Sequence, residues 1–412
     1  MKNRTGFNSL IEYLFVASLI LTESTMYGVM KEFYENGITD FTFRIICLII
    51  TFFLIIISIL EGRRYVKRIH IKLIIVAILF FALYLIISRY NVNAYLENFF
   101  IPFILFLLLV VLHQNFFERF FNIYDDIIYI ISFISLIFYF GGTILKFIPS
   151  EALEYYNNGA WNQGFHYFYL NFINEWQTQE IFGKSFVRNV GIFMEAPGFA
   201  FPLIMSLWWE LFEKNNTCKR RIVVFLITII TTFSTKALGI AIILLFVYLY
   251  SKKIDKKSFW KKIRPVFFPL IFVVGFILGI YILKQKVLTT GDAGSWFIRK
   301  NDIFAAYYVW KKYPILGAGF YNLQEMYNNY PNGRLNGAPT MGILNILAYG
   351  GVYTLVGYIV CLKNYLKKVR FAGEKYNIII FLALFITFLA TSNNQYSYTV
   401  LLLLAMGYIK EA

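Results

Sequence analysis

The sequence predicts an all-α fold: a polytopic integral membrane helical bundle of about 12 transmembrane helices, with residues 1–412 forming a single membrane domain. Three observations carry that expectation. The chain is 59% hydrophobic and only 15% charged, with a mean hydropathy of +0.61, which excludes an ordinary soluble domain. Apolar runs near the ~20-residue spanning length recur from end to end. Basic clusters separate these runs in the pattern that the positive-inside rule produces.

The runs fall at about 9–29, 43–60, 71–88, 97–112, 127–148 and 190–211. Six more follow at about 222–234, 237–251, 265–283, 341–362, 376–391 and 397–409. The first run follows Lys2 and Arg4 and so imitates a signal peptide. Glu12 and Glu23 interrupt it, however, and no small-residue cleavage site follows, so it reads as a retained span. Glu12 is expected at the cytoplasmic edge of that span and Glu23 toward the outer cavity. Residues 222–251 read either as two thin spans or as one hairpin that does not fully cross.

Orientation follows from "EGRRYVKRIHIK" (61–72), "EKNNTCKRRI" (213–222), "SKKIDKKSFWKKIR" (251–264) and "KNYLKKVRFAGEK" (363–375). With both termini in the cytoplasm, twelve spans put all four on the cytoplasmic side. The net charge of +16 is then a topological signal, and nucleic acid is not an expected partner. Cys47, Cys218 and Cys361 cannot form a disulfide framework. His70, His113 and His166 are isolated in sequence, so neither a metal nor a cofactor is expected.

Two external segments, at about 149–187 and 284–340, are too long to be plain connectors and are expected to contain short helices. The first holds "EYYNNGAWNQGFHYFYLNFINEWQ", with Trp161, Tyr167, Tyr169 and Trp176 among Asn and Gln. That mixture suits sugar rings, which offer C–H faces and hydroxyl edges. It equally suits an aromatic belt at the headgroups. Trp208 and Trp209 are expected as anchors at the inner interface.

The second segment has helical character from Trp296 to Tyr308, with Arg299 and Asp302 three residues apart on one face. "YPILGAGF" then breaks it: Pro314 stops the helix, and Gly317 and Gly319 permit a tight turn. A lone GxG is weak evidence for phosphate binding. Charge says more, since residues 284–340 contain seven Lys or Arg against three acids.

"VRNVGIFMEAPGFAFPLIMSLWW" (187–209) is apolar enough for a bilayer, yet carries Arg188 and Glu195 in its first third. Read as a helix, it places the two on one face, ~10 Å apart along the axis. Ionisable groups at that depth are costly and mark a site.

"RNVGIFMEAPGFA", "FSTKALGIAIILL", "IRKNDIFAAYYVWKKYPILGAGF" and "PTMGILNILAYGG" occur in that order. Together they resemble the successive blocks of the bacterial O-antigen and capsular polysaccharide repeat-unit polymerases, which share a fold with O-antigen ligases. The resemblance covers roughly residues 185–360. It implies a multi-pass protein of the bacterial cytoplasmic membrane. It also implies a donor and an acceptor that are oligosaccharides linked to undecaprenyl diphosphate, joined at the outer face. A chain-length regulator protein and membrane lipid are the other implied partners. Ligases typically show a histidine before the glycine of the last block; none lies in residues 284–412, which favours a polymerase. Lys236 stands where the family usually has arginine. A flippase or other transporter is the competing class, but no internal repeat points to one.

On this resemblance Arg188 and Arg299 face the lipid diphosphate. The reaction needs positive charge against oxygens that become more negative as the sugar–diphosphate bond breaks, and guanidinium supplies it in two-pronged form. Glu195 is either the base for the acceptor hydroxyl or a charge partner of Arg188 or Lys236. Asp302 is a reserve base or an ion-pair partner. Lys236, Arg334, Asp302, Trp161 and Trp296 are the candidate substrate contacts, Arg334 being equally readable as a turn residue.

Overall fold

The computed structural model describes residues 6–61, 68–88, 91–113, 116–157, 160–168, 170–181, 184–214, 216–251, 295–330, 342–372, 385–387 and 395–409. The span expected at about 265–283 lies outside them, as does most of the one at about 376–391.

Most of the described chain is helical. Among the described residues, five helices are long and apolar enough to cross a membrane: Asp40–Leu60, Arg68–Ile86, Val92–Leu112, Glu118–Ile144 and Gly342–Lys363. Each coincides with an expected run. Ser9–Leu21, Thr235–Leu249 and Tyr398–Tyr408 are shorter apolar helices.

Burial says what solvent these helices were built for. Only 28% of the Asp40–Leu60 window and 22% of the Arg68–Ile86 window is buried in the protein. Phe52, Phe53, Leu79 and Ile86 therefore stand exposed. A helix apolar on all sides and not covered by protein is stable in lipid rather than in water. The chain is a membrane protein by this criterion.

The chain divides into two compact units, Met1–Gly28 with Phe33–Ile123 and Phe297–Ala412, and Val29–Glu32 with Tyr124–Trp296. The first holds helices α1 (Gly6–Leu21), α3 (Asp40–Leu60), α4 (Arg68–Ser88), α5 (Val92–Tyr95) and α6 (Ile101–Leu112), the last two joined by a π-helical turn. The five-residue α2 (Lys31–Glu35) precedes α3. Thr39 and Thr42 cap the start of α3 reciprocally, and Asp40 suits the positive end of its dipole. An aromatic core fills this unit: Tyr84 lies 5.0 Å from Tyr95, Phe81 5.1 Å from Phe103, and Phe320 4.6 Å from Tyr396.

The same unit ends with α11 from Phe297 onward (the helix spans Ser295–Lys312), α12 (Leu323–Tyr327), α13 (Gly342–Ala372) and α14 (Tyr398–Tyr408). Helix α13 breaks at Gly351, whose φ of 61° and ψ of −167° are non-helical. The "PILGAG" loop docks on the break. Ala318 and Gly319 donate to the Ala348 and Tyr349 carbonyls at 2.8 and 3.1 Å. Val352 and Tyr353 donate back to Pro314 and Ile315, both at 3.0 Å. The helix bonds lost at the break are thus remade with the loop.

The second unit contains α7 from Tyr124 onward (the helix spans Phe116–Phe138), then α8 (Ala196–Trp208), α9 (Lys219–Thr231) and α10 (Thr235–Ser251). Between α7 and α8 lies a four-stranded antiparallel meander, β1 (Glu151–Asn157), β2 (Ala160–Phe168), β3 (Asn171–Ile181) and β4 (Lys184–Asn189). Met30 bridges to Tyr155, which adds the stretch after α1 to the edge beside β1. Leu153, Phe165, Phe168, Phe172 and Ile173 are buried.

This sheet corrects the all-α expectation, and with it the short helices expected in about 149–187. The segment is dense in Tyr, Phe and Trp, which fit a pleated half-buried surface better than a helix. Asn158-Gly159, a strong hairpin dipeptide in sequence, stands between β1 and β2. The helical reading of 187–209 also fails. Arg188 belongs to β4, and helix begins only at Ala196, so the two-turn spacing to Glu195 has no meaning. Trp208 and Trp209 are buried in protein instead of anchoring at an interface.

Candidate functional site

Strand pairing sets up the surroundings of Arg188. Ile173 pairs with Asn189 and Thr178 with Val187, so the four residues Asn174–Gln177 of β3 stand opposite Arg188 alone. Such a bulge frees side chains from the ladder and re-aims them. Arg188 is half-buried, and its Nε donates to the Thr232 carbonyl at 2.8 Å. Thr232 is the residue at which α9 ends. A cation on a terminal helix carbonyl is well placed against the negative end of the dipole, and the bond fixes the guanidinium plane. Asn189 next door is buried and saturated. Its Nδ2 donates to Ser135 Oγ and Thr231 Oγ1 at 3.2 and 3.1 Å, and Oδ1 accepts from Gly191 N–H at 3.0 Å.

Glu195 sits at the N-cap of α8 with extended φ and ψ of −137° and 143°, and its side chain makes no capping bond. It is exposed, where the sequence reading placed it below the surface. Its backbone is held by Gln177 from the β3 bulge. Gln177 Nε2 donates to the Met194 carbonyl and Oε1 accepts from Ala196 N–H, each at 3.0 Å. Pro197 follows in the first turn, where its missing N–H costs nothing. The negative charge of Glu195 is matched to the helix start behind it. Helix α8 beyond it is buried on almost every side.

Lys236 lies half-buried in the first turn of α10, after the α9–α10 turn through Phe233 at φ 46°. Trp161 on β2 is exposed, with Tyr156 edge-on at 5.3 Å and Lys31 Nζ 5.8 Å over its ring. Lys31 also bonds Glu154 at 2.5 Å, and Gln163 Nε2 donates to the same carboxylate at 3.1 Å. These two hydrogen bonds, that of Lys31 first, hold the Glu154 carboxyl below its ordinary value. His166 pairs with Glu175 at 2.9 Å.

In the other unit, Arg299 and Asp302 both lie on α11, as expected, but they differ in role. Asp302 is fully buried and accepts from the Tyr330 hydroxyl at 2.7 Å, which identifies it as a structural acceptor there. Arg299 is half-buried and, among the described residues, makes no hydrogen bond or ion pair. Arg334 and the Trp296 side chain lie outside the described residues. The GxG turn has no donors left for a phosphate, since Gly317 N–H goes to Tyr313 O and the next two amides go to α13.

Sequence reasoning missed two buried charge clusters. Asp125 and Glu210 have no exposed side-chain surface; Lys214 reaches them at 2.8 and 2.6 Å. Arg221 bonds Asp125 and Asp126, both at 2.6 Å, and lies 5.0 Å over Tyr129. Glu12 is buried in protein against His113 at 2.9 Å and Arg119 at 3.5 Å. Glu23 accepts from Thr399 N–H at 3.0 Å, in the first turn of α14. The signal for the first cluster was available: carboxylates at 125, 126 and 210 flank the basic run 214–221 at like ends of their spans. No family profile matches the chain, and no curated protein matches it.

Proposed function

We propose that the chain is a membrane glycosyltransferase that polymerises undecaprenyl-diphosphate-linked oligosaccharide repeat units into O-antigen or capsular polysaccharide. It works at the outer face of the bacterial cytoplasmic membrane, with about 12 spans and both termini inside. The observation that carries the reading is the corner of β3, β4 and α8. There an exposed carboxylate, Glu195, is clamped on both sides by Gln177, and Gln177 stands in the strand segment opposite Arg188. A base that must meet an incoming hydroxyl needs solvent access and a fixed backbone, and Glu195 has both.

In the reaction the acceptor hydroxyl gives its proton to Glu195 as its oxygen attacks the anomeric carbon. The bond from that carbon to the diphosphate breaks, and the leaving undecaprenyl diphosphate carries the negative charge away. Arg188 meets that charge with a guanidinium already oriented by Thr232. Arg299 is the second cation of the reading; Lys236, Trp161, Trp296 and Arg334 are its further substrate contacts. A chain-length regulator is the protein partner.

Deleting the gene tests the whole reading. The polymer ladder should vanish while single repeat units stay attached to their final acceptor. Loss of every attached unit would instead mark a ligase or a flippase.

A further inference from the structure

Two strand irregularities meet at one side chain. Tyr155 pairs with Asn162 and Leu153 with Phe165, so Gln163 and Gly164 together face Glu154 alone. Gly164 carries the bulge at a φ of 110°, a conformation in which a side chain would be strained. Trp176, from the β3 bulge, takes the space this leaves. An ideal Cβ on Gly164 would fall 1.7 Å from Trp176 Nε1.

The indole is held by polar bonds as well. Its Nε1–H donates to the Gln163 carbonyl at 3.2 Å, and the Trp176 backbone N–H donates to Asn174 Oδ1 at 2.9 Å. Even so, Trp176 is 78% exposed. Fixing the largest aromatic side chain and then leaving it in the open forgoes most of its burial energy. Its surroundings are polar: the Glu175–His166 pair, the Gln163–Glu154 pair and exposed Thr178. An apolar partner would strand those groups without water. A sugar ring would not, because its C–H face meets the electron-rich indole while its hydroxyls meet the carboxylates and amides.

We infer that Trp176, seated on Gly164, is a stacking platform for a pyranose ring of the saccharide chain. The inference rests on the polymerase reading only for the source of that saccharide. A headgroup anchor would instead place the ring in contact with lipid.

The test uses purified full-length protein in nanodiscs of brominated phosphatidylcholine. The probe is the oligosaccharide released by mild acid from the producing cell's lipid-linked precursor. Comparison of wild type with Trp176→Phe isolates the emission of one among seven tryptophans. The probe should shift that emission and shield it from acrylamide, and the bromine should leave it unquenched. In turnover assays Trp176→Ala should raise KM for the lipid-linked donor about tenfold with little change in kcat, and Trp176→Phe should recover most of the loss. Bromine quenching of Trp176, an unshifted emission, or an unchanged KM in a well-expressed Trp176→Ala protein would each overturn the platform. The polymerase reading fails separately, if polymer persists in the deletion strain. Polymer lost on deletion but normal KM in Trp176→Ala sinks the platform alone.

Discussion

Gln177 grips the chain on both sides of Glu195, donating a hydrogen bond to Met194 O and accepting one from Ala196 N–H, each at 3.0 Å. The carboxylate itself is untouched by this clamp. Gln177 is therefore a positioning residue, separable from any chemistry at Glu195. Gln177→Leu removes both bonds, each worth roughly 0.5–1.5 kcal/mol. We expect chain growth to fall about tenfold with membrane level preserved, while Glu195→Gln nearly abolishes growth and leaves donor binding intact. Equal growth in wild type and Glu195→Gln, at matched expression, would remove Glu195 from the reaction.

Arg188 offers a sharper contrast between charge and geometry. Lysine at this position keeps the charge but lacks the Nε donor to Thr232 O and the planar fork. Arg188→Lys should leave partial polymer and Arg188→Ala almost none. Arg299→Ala, measured on its own, should also nearly stop growth. Normal ladders from both alanine variants, each well expressed, would show the two guanidinium groups to be structural.

The joint at Gly351 predicts a stability defect. A Cβ there would fall 2.2 Å from the Ile315 carbonyl oxygen, at a φ of 61°. Gly351→Ala should destabilise the fold by on the order of 1–3 kcal/mol through strain, and more if the docked loop is expelled. Thermal unfolding in detergent measures it. An unchanged midpoint would mean that the loop and the helix are not locked together.

Acid should loosen the sheet edge. Lys31 holds the Glu154 carboxyl below its ordinary value of 4.5. A carboxyl lowered in the folded state binds fewer protons there than in the unfolded state. Its contribution is therefore complete above the unfolded value and disappears as pH falls through the lowered one. Tyr156 N–H, which bonds Val29 O at 2.8 Å, reports on this edge. Its hydrogen-exchange protection, corrected for intrinsic rates, should hold down to pH 4.5 and decline below it. Lys31→Ala should lower protection at neutral pH and flatten the decline; an unchanged profile would show that the pair does not secure the edge.

How far the sequence foretold this structure differs from segment to segment. The five long spans were legible because an apolar run of spanning length has few other uses. The sheet was not, since Trp161, Tyr167 and Trp176 suit a strand, a belt and a sugar site alike. The Arg188–Glu195 spacing misled for a related reason: seven residues mean two turns only inside a helix, and glycine and proline nearby did not reveal that a strand came first. "YPILGAGF" and "LAYGG" are each visible in the sequence, but their union is not. They meet through backbone atoms, which leave no side-chain signature in either block. Gln177 was invisible as one amide among many, its value arising from a bulge that no pattern announces.

The buried Asp125 has a consequence in time. Its partners Lys214 and Arg221 follow it by 89 and 96 residues. At about 5–20 residues per second, a ribosome needs on the order of ten seconds to make that stretch. For the whole interval the carboxylate exists without either cation, and a lone charge cannot enter a dry interior. This end of α7 therefore has to wait at an aqueous surface during synthesis and can be sealed only after the chain has passed Arg221. Assembly of the second unit is paced by translation, with the last cation as the key that closes it.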